Sequence, residues 1–468
     1  MKIIGRAIRL FALSAAAIVS TTTLAAEPVA AELAQQGQDL AWWIVEDLTT
    51  EIGPRQAATE AEAAARTWAV QRLREMGFQN VREEKFKMPT WVRGEEQASL
   101  IGPFHPQKLA IAALGNSAPT GPKGIEGEVV YFASFDALQA APDRAVKGKI
   151  VFIDHKMAPT QDGSGYGTYG RGRFTGPNVA AKKGAIAIVI RSIGTDSHRN
   201  PHTGVTNFDT GVKPIPAGAL SNPDADQLVR QWTRAQAMRP ASGHGDTPEA
   251  LRMKLLLTPR NLGQQTSGNV IAEVPGSDPA ASPIILACHL DSWDLGTGAI
   301  DDAAGCGIIT AAAKYVMMAG QPRRTIRILW AGAEEVGVFG GKAYFNAYGK
   351  EKHAVAMESD FGADRVWRVD FKLPDSAKSL TDRISAAIAS YGVVRGKDPA
   401  GGGADIGALV AAGVPAIDFA QDGTRYFDLH HTPDDTLDKI DPVQLRQNVM
   451  VWTTALAILA DSSDTELP

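Results

Sequence analysis

The chain has 468 residues, 44% of them hydrophobic and 21% charged, a globular balance that excludes a disordered, collagen-like or coiled-coil protein. Its length suggests about three domains, and a formal net charge of −5 leaves no global basic field to hold nucleic acid. Two cysteines exclude a disulfide-stapled scaffold, and no apolar run reaches the roughly 18 residues of a transmembrane helix.

Residues 1–25 read as a cleavable secretory signal peptide. Lys2, Arg6 and Arg9 precede a short apolar stretch, Leu10 to Val19, and Thr23-Leu24-Ala25 is a small-residue cleavage site. Removing those cations takes the net charge from −5 to about −8. The expectation is a periplasmic or secreted protein with no membrane association after cleavage. Cys288 and Cys306 fall in a buried strand and a buried helix and read as two small hydrophobes, with a disulfide as the alternative that export permits.

Residues 26–118 show no chemistry of their own and are expected to be the N-terminal part of the domain that residues 263–468 complete. A helix is expected over Ala31 to Glu51, broken at Gly53-Pro54-Arg55, a second over Thr59 to Met76 with Gly77 behind it, and a strand over Asn80 to Lys87. Residues 119–262 read as a β-rich insert with strands at Gly148–Ile153, Ala185–Ile190 and Pro216–Leu220, a helix from Asn222 to Trp232, and a loop over Gln161–Phe174. His155, His198, His202 and His244 lie here without metal-like spacing to carboxylates and read as surface or loop residues. From 263 to 468, strands (Asn269–Glu273, Ile284–Cys288, Arg324–Ala331, His353–Glu358) alternate with helices (Gly305–Met318, Gly340–Gly349, Ser376–Tyr391, Pro442–Asp461). That alternation predicts an α/β fold, a mixed and mostly parallel sheet flanked by helices.

The chemistry-bearing residues cluster at strand ends. His289-Leu290-Asp291 follows one apolar strand, Asp301-Asp302 opens the next helix, Glu334-Glu335 follows a second strand, Asp360 a third, and His430-His431 precedes the last helix. In open α/β sheets ligands bind beyond the carboxyl ends of the strands. Gathered carboxylates repel one another and lose solvation, so a pair of divalent cations is the economical reason to collect them. A mixed imidazole and carboxylate set suits zinc better than magnesium or calcium.

These motifs resemble the di-zinc aminopeptidase and glutamate carboxypeptidase family. The resemblance rests on His289-Leu290-Asp291-Ser292-Trp293-Asp294, Gly298 to Gly305, Ala333-Glu334-Glu335, Met357-Glu358-Ser359-Asp360 and His431-Thr432-Pro433-Asp434-Asp435-Thr436, in order. It implies the zinc exopeptidase fold, and residues 119–262 resemble the protease-associated domain found inserted in exported peptidases. It implies two zinc ions per chain: His289 and Asp360 on one, His431 and Glu335 on the other, and Asp301 bridging. Glu334 is then the general base and acid, Asp291 orients the His289 imidazole, and the Asp301–Asp302 peptide is expected to be cis. Asp405, Tyr426 and His430 are candidate substrate-binding residues, with a helix-cap or turn role as the alternative for Asp405 and Arg425 as a further candidate.

The resulting expectation is an exported metallo-exopeptidase acting on dipeptides or short peptides, with a homodimer implied by the resemblance. The alternatives are an aminopeptidase on longer peptides, a single-zinc acyltransferase of the glutaminyl cyclase kind, and a non-catalytic binding protein.

Overall fold

The run Ile284–Cys288 forms a strand, Ile284–His289, buried on both faces at the middle of an eight-stranded mixed sheet. Ile284, Leu286 and Cys288 pack into the core on one face, while Ile285 and Ala287 pack into a separate core on the other. Burial on both faces is why this strand reads as a continuous apolar run rather than an alternating one. A computed structural model describes residues 26–37, 39–238 and 250–467, so the expected signal peptide and His244 lie outside the described residues.

Parallel neighbours flank this strand, Ile326–Ala331 on one side and Val355–Glu358 on the other. The chain leaves the strand, forms helix Ala304–Ala319 and returns on one side, then forms helix Phe339–Tyr348 and returns on the other. A crevice therefore opens beyond the carboxyl end of Ile284–His289, where strand order reverses. Antiparallel strands complete the sheet: Gln79–Val92 and Arg260–Val274 at one edge, and Val366–Lys372 against Ala416–Gln421 toward the other. Helix Pro442–Ala460, capped by the Asp441 carboxylate, packs beside Ala304–Ala319. The α/β expectation holds. The stretch expected as one helix from Ala31 to Glu51 is two, Ala26–Gln36 and Leu40–Glu51, because Gly37 follows the first and favours its end.

A second eight-stranded sheet lies within residues 96–257. It reaches further back than residue 119, because Glu96–Ile101 pairs antiparallel with Arg252–Leu257 and zips the entry of this unit to its exit. Gln161–Phe174, expected as a loop, carries the helix Ser164–Phe174. Its aromatic rings pack: Tyr166 stacks on Phe427 at 4.6 Å and Tyr169 on His155 at 5.2 Å. The loop 192–206 of this unit lies on the segment before the last helix. There Thr195 N–H donates to the Phe427 carbonyl at 3.0 Å and Thr203 N–H to the His431 carbonyl at 3.1 Å.

Cys288 and Cys306 are not two separate small hydrophobes; they are joined by a disulfide, with Cα atoms 5.2 Å apart. Helix Ala304–Ala319 lies over the strand face from which Cys288 points, which brings the two residues within bonding reach. Among the described residues no helix is long and apolar enough to cross a membrane.

Candidate active site

Three parallel strands end level with one another: His289 pairs with Ala331, and Ala287 pairs with Glu358. The residues just beyond those ends, His289, Glu334, Glu335 and Asp360, therefore meet at one edge of the sheet. The backbone there is unusual at several points. Ala333 and His431 have φ of 58°, and Val338 has φ of 56°, strain of the kind that is concentrated at functional sites. The Asp301–Asp302 peptide is cis.

Asp301 sits at the centre. His289 Nε2 lies 2.7 Å from its Oδ1, and His431 Nε2 lies 3.2 Å from its Oδ2. His289 Nε2 is also 3.4 Å from Asp360 Oδ1, and His431 Nε2 is 2.8 Å from Glu335 Oε2. Two half-sites thus share one carboxylate: His289, Asp360 and Asp301, and His431, Glu335 and Asp301. Each imidazole turns its other nitrogen away to a backbone carbonyl. His289 Nδ1 is 2.9 Å from the Asp291 carbonyl and His431 Nδ1 is 3.2 Å from the Thr203 carbonyl. With those nitrogens donating, each Nε2 presents a lone pair toward Asp301.

Asp302 is committed elsewhere. Its carboxylate accepts His289 N–H at 3.1 Å and Gly305 N–H at 3.0 Å. Gly305 has to be glycine, because a Cβ there would meet the Ser359 carbonyl oxygen at 1.9 Å and the Asp302 carboxylate at 2.3 Å. The carboxylate of Asp291 accepts Glu334 N–H at 3.0 Å and lies 3.7 Å from His289 Nδ1. It is thus the backbone carbonyl of Asp291, rather than the carboxylate, that holds the imidazole.

The donor set fits divalent metal. Asp301, Glu335 and His289 each place one donor atom within 4.8 Å of the others. Asp301 Oδ2 has no hydrogen-bond partner although His431 and His430 place Nε2 atoms 3.2 and 3.3 Å away, because neither nitrogen is aligned to donate. Glu335 Oε1 is buried and unpartnered too. Among the described residues no lysine or arginine forms an ion pair with Asp301, Glu334, Glu335 or Asp360. Burial pushes the Glu335 carboxyl up to about 7, with the Asp301 charge adding to the effect, and burial holds Glu334 well above the usual carboxylate range. Buried acids with no lysine or arginine beside them call for a cation of another kind.

A cavity of about 310 Å³ opens over this centre, lined by Asp301, Glu334, Glu335, Asp360, Tyr426, His430 and His431, and by Tyr166, Arg173 and Phe174 from the second unit. Tyr426 and His430 thus line the cavity. Asp405 does not line it: its Oδ1 accepts Gly341 N–H at 3.1 Å, in the first turn of helix Phe339–Tyr348, so the side chain serves a helix N-terminus from across the fold. Arg425 is held by Asp364, two contacts of 2.6 Å, outside the cavity.

Sequence reasoning missed several residues. His202, read as a surface or loop residue, is 1% exposed, with its Nε2 2.9 Å from His430 Nδ1. His155 is buried as well. Arg173 is 2% exposed with an unpartnered Nε, and its guanidinium occupies the space beside Gly204, where a Cβ would meet it at 2.3 Å. Arg55, in a stretch where no chemistry was visible, is fully buried and donates to the carbonyls of Leu290, Thr297 and Gly298, bracing the loop between His289 and Asp301. Only the Gly53-Pro54-Arg55 break after the first helices marked that position, and such a break reads equally well as a turn.

The sequence model described as peptidase family M28 matches residues 269–456. Carboxypeptidase Q of Bos taurus is 32% identical over 419 residues, covering 88% of this chain and 84% of that protein. The crystal structure of a peptidase M28 precursor from Shewanella amazonensis is 43% identical and superposes with a TM-score of 0.88 over 95% of this chain and 98% of its own. A zinc aminopeptidase from Bacillus subtilis shares the fold at 19% identity, with a TM-score of 0.63 over 92% of this chain and 97% of its own. This chain belongs to peptidase family M28, the metallopeptidase family that its strand-end motifs resemble.

Proposed function

We propose that the protein is an exported di-zinc exopeptidase that hydrolyses dipeptides or short peptides with Glu334 as general base. The observation that carries this reading is the shared carboxylate: Asp301 faces His289 through one oxygen and His431 through the other. His289, Asp301 and Asp360 would hold one ion, and His431, Asp301 and Glu335 the second. When bound, zinc supplies Lewis acidity that lowers the pKa of a coordinated water and polarises the scissile carbonyl. Glu334 lines the same cavity, and burial keeps its carboxyl well above the usual range, which suits a group that takes a proton from the attacking water and returns it to the leaving amine. The N-terminal leader pattern supports export.

Arg173 supports a substrate with a free carboxylate. It is a buried guanidinium lining the cavity, and among the described residues it has no acidic partner. A planar fork of donors matches a carboxylate. Action as an aminopeptidase on longer peptides is the second reading. It is favoured by a neighbouring cavity of about 250 Å³ whose lining sets Asp162, Glu358, Asp360, Asp370 and Asp418 against one cation, Arg368, which pairs with Asp370, leaving an acidic excess for an ammonium group.

The test is zinc per chain by elemental analysis alongside hydrolysis of a dipeptide panel with and without chelator. About two zinc ions per chain, with activity lost on chelation and in Glu334→Gln, is the expected result. One zinc without peptide hydrolysis would move the reading to an acyltransferase, and hydrolysis indifferent to chelator would overturn it.

A further inference from the structure

We propose that His202, contributed by the second sheet unit, is a positioning residue that fixes the tautomer of His430 and so aims an N–H of His430 at the reacting group of the substrate. The proposal rests on the peptidase reading of this site and adds to it a residue from outside the strand-end motifs.

His202 Nε2 and His430 Nδ1 face each other at 2.9 Å, so this contact is held by one proton. Two arrangements are possible. In the first, His202 Nε2–H donates to His430 Nδ1, and the second proton of His430 sits on Nε2. In the second, His430 Nδ1–H donates to His202, whose own proton sits on Nδ1. The second arrangement is the costlier one. His202 Nδ1 is buried without a hydrogen-bond partner, and a buried orphaned N–H is worse than a buried bare acceptor. His430 Nε2 lies 3.3 Å from Asp301 Oδ2 without being aligned to it, so the first arrangement leaves an uncommitted N–H beside that carboxylate.

That N–H is not spent on Asp301, whose Oδ2 accepts no hydrogen bond. His430 lines the cavity, so the donor is left to face whatever oxygen the substrate brings beside the Asp301 carboxylate. A preset donor aimed where negative charge develops lowers the barrier without reorganising during reaction.

His202 is itself held rigidly. Its backbone N–H donates to Ser192 Oγ at 2.8 Å, and that hydroxyl donates to the Leu220 carbonyl at 2.7 Å. Tyr166 packs edge-on against both rings, 5.8 Å from His202 and 5.2 Å from His430. The second unit thereby supplies a working part of the site.

The experiment compares the zinc-loaded enzyme with His202→Leu and His202→Gln, reading kcat, KM, zinc content and, with 15N-labelled histidine, which nitrogen of His430 carries the proton. Removing the donor is expected to lower kcat about ten- to a hundredfold, less than the roughly hundred- to thousandfold loss on deleting an oxyanion donor outright, because His430 itself remains. KM and zinc content should hold in His202→Leu. A glutamine amide restores a donor at the same place, so His202→Gln should recover most of kcat. In the parent enzyme the His430 proton should be on Nε2. A proton on Nδ1, an unchanged kcat in His202→Leu, a loss of zinc in that variant, or no recovery with glutamine would each overturn the proposal. The tautomer is read by NMR whether or not peptides are cleaved, so failure of the peptidase reading is distinguishable from failure of this one.

Discussion

Replacing Arg173 separates a carboxylate-reading exopeptidase from one that reads only the amino end. The guanidinium gives Nη1 to the Tyr166 hydroxyl at 2.5 Å and to the Thr203 carbonyl at 3.3 Å, while Nε has no partner. Nη2 makes no hydrogen bond among the described residues either, so the Nε–Nη2 edge of the fork is unspent in a side chain that lines the cavity. A carboxylate taken by that edge forms charge-assisted bonds, each worth about 1.5–3 kcal/mol. After allowance for solvent in an open cavity, Arg173→Met should cost about 2–4 kcal/mol in kcat/KM, roughly thirty- to a thousandfold, on a dipeptide with a free carboxylate. The same dipeptide as its C-terminal amide is the control. Loss of the Tyr166 and Thr203 bonds affects both substrates alike, whereas loss of carboxylate recognition affects only the acid. Arg173→Lys should fall between, since an ammonium is a point charge rather than a fork. Equal losses on acid and amide, with preference between them unchanged, would refute the assignment and favour the aminopeptidase reading.

Glu334→Gln should lower kcat by about 10²- to 10⁴-fold, with zinc content unchanged, because no zinc-facing imidazole is paired with this carboxylate. Metal-stripped protein should lose stability as pH rises. Burial holds Glu335 and Asp435 at about 7 in the fold, above their usual 4.5 and 3.8, so the folded state binds more protons than the unfolded chain between those values. The stability these two groups contribute is fully present below about pH 4 and is lost as pH rises through 7, on the order of a few kcal/mol per group. Thermal melts with chelator should show that decline and added zinc should remove it, whereas a rising or flat profile with chelator contradicts it. Substituting Cys288 and Cys306 together by alanine releases a cross-link spanning 18 residues, worth about 3 kcal/mol by loop entropy, read as a lowered melting temperature.

The sequence by itself determined what is local in the chain. Strand and helix periods, with glycine and proline punctuation, set the α/β alternation, and each strand carries its polar residue at its own carboxyl end. That is why His289, Glu334, Glu335 and Asp360 could be named as neighbours: parallel strands that end level deliver them to one edge whatever the rest of the fold does. The division between Glu334 and Glu335 and the bridging place of Asp301 came from resemblance, since spacing alone does not say which oxygen faces which imidazole. Tertiary structure alone decided the residues that meet across long stretches of chain. His202 reaches His430 and Thr203 reaches His431 across 228 positions each, and Arg55 braces a loop 235 positions away. No periodicity encodes such pairings; they exist because the second sheet folds back onto the segment before the last helix. The same holds for Asp405, whose helix-capping partner Gly341 is distant in sequence, and for the disulfide, which depends on one helix lying over one face of the central strand. Local residue order writes the metal-facing edge, and only packing of distant segments decides what orients it and which substrate end it meets.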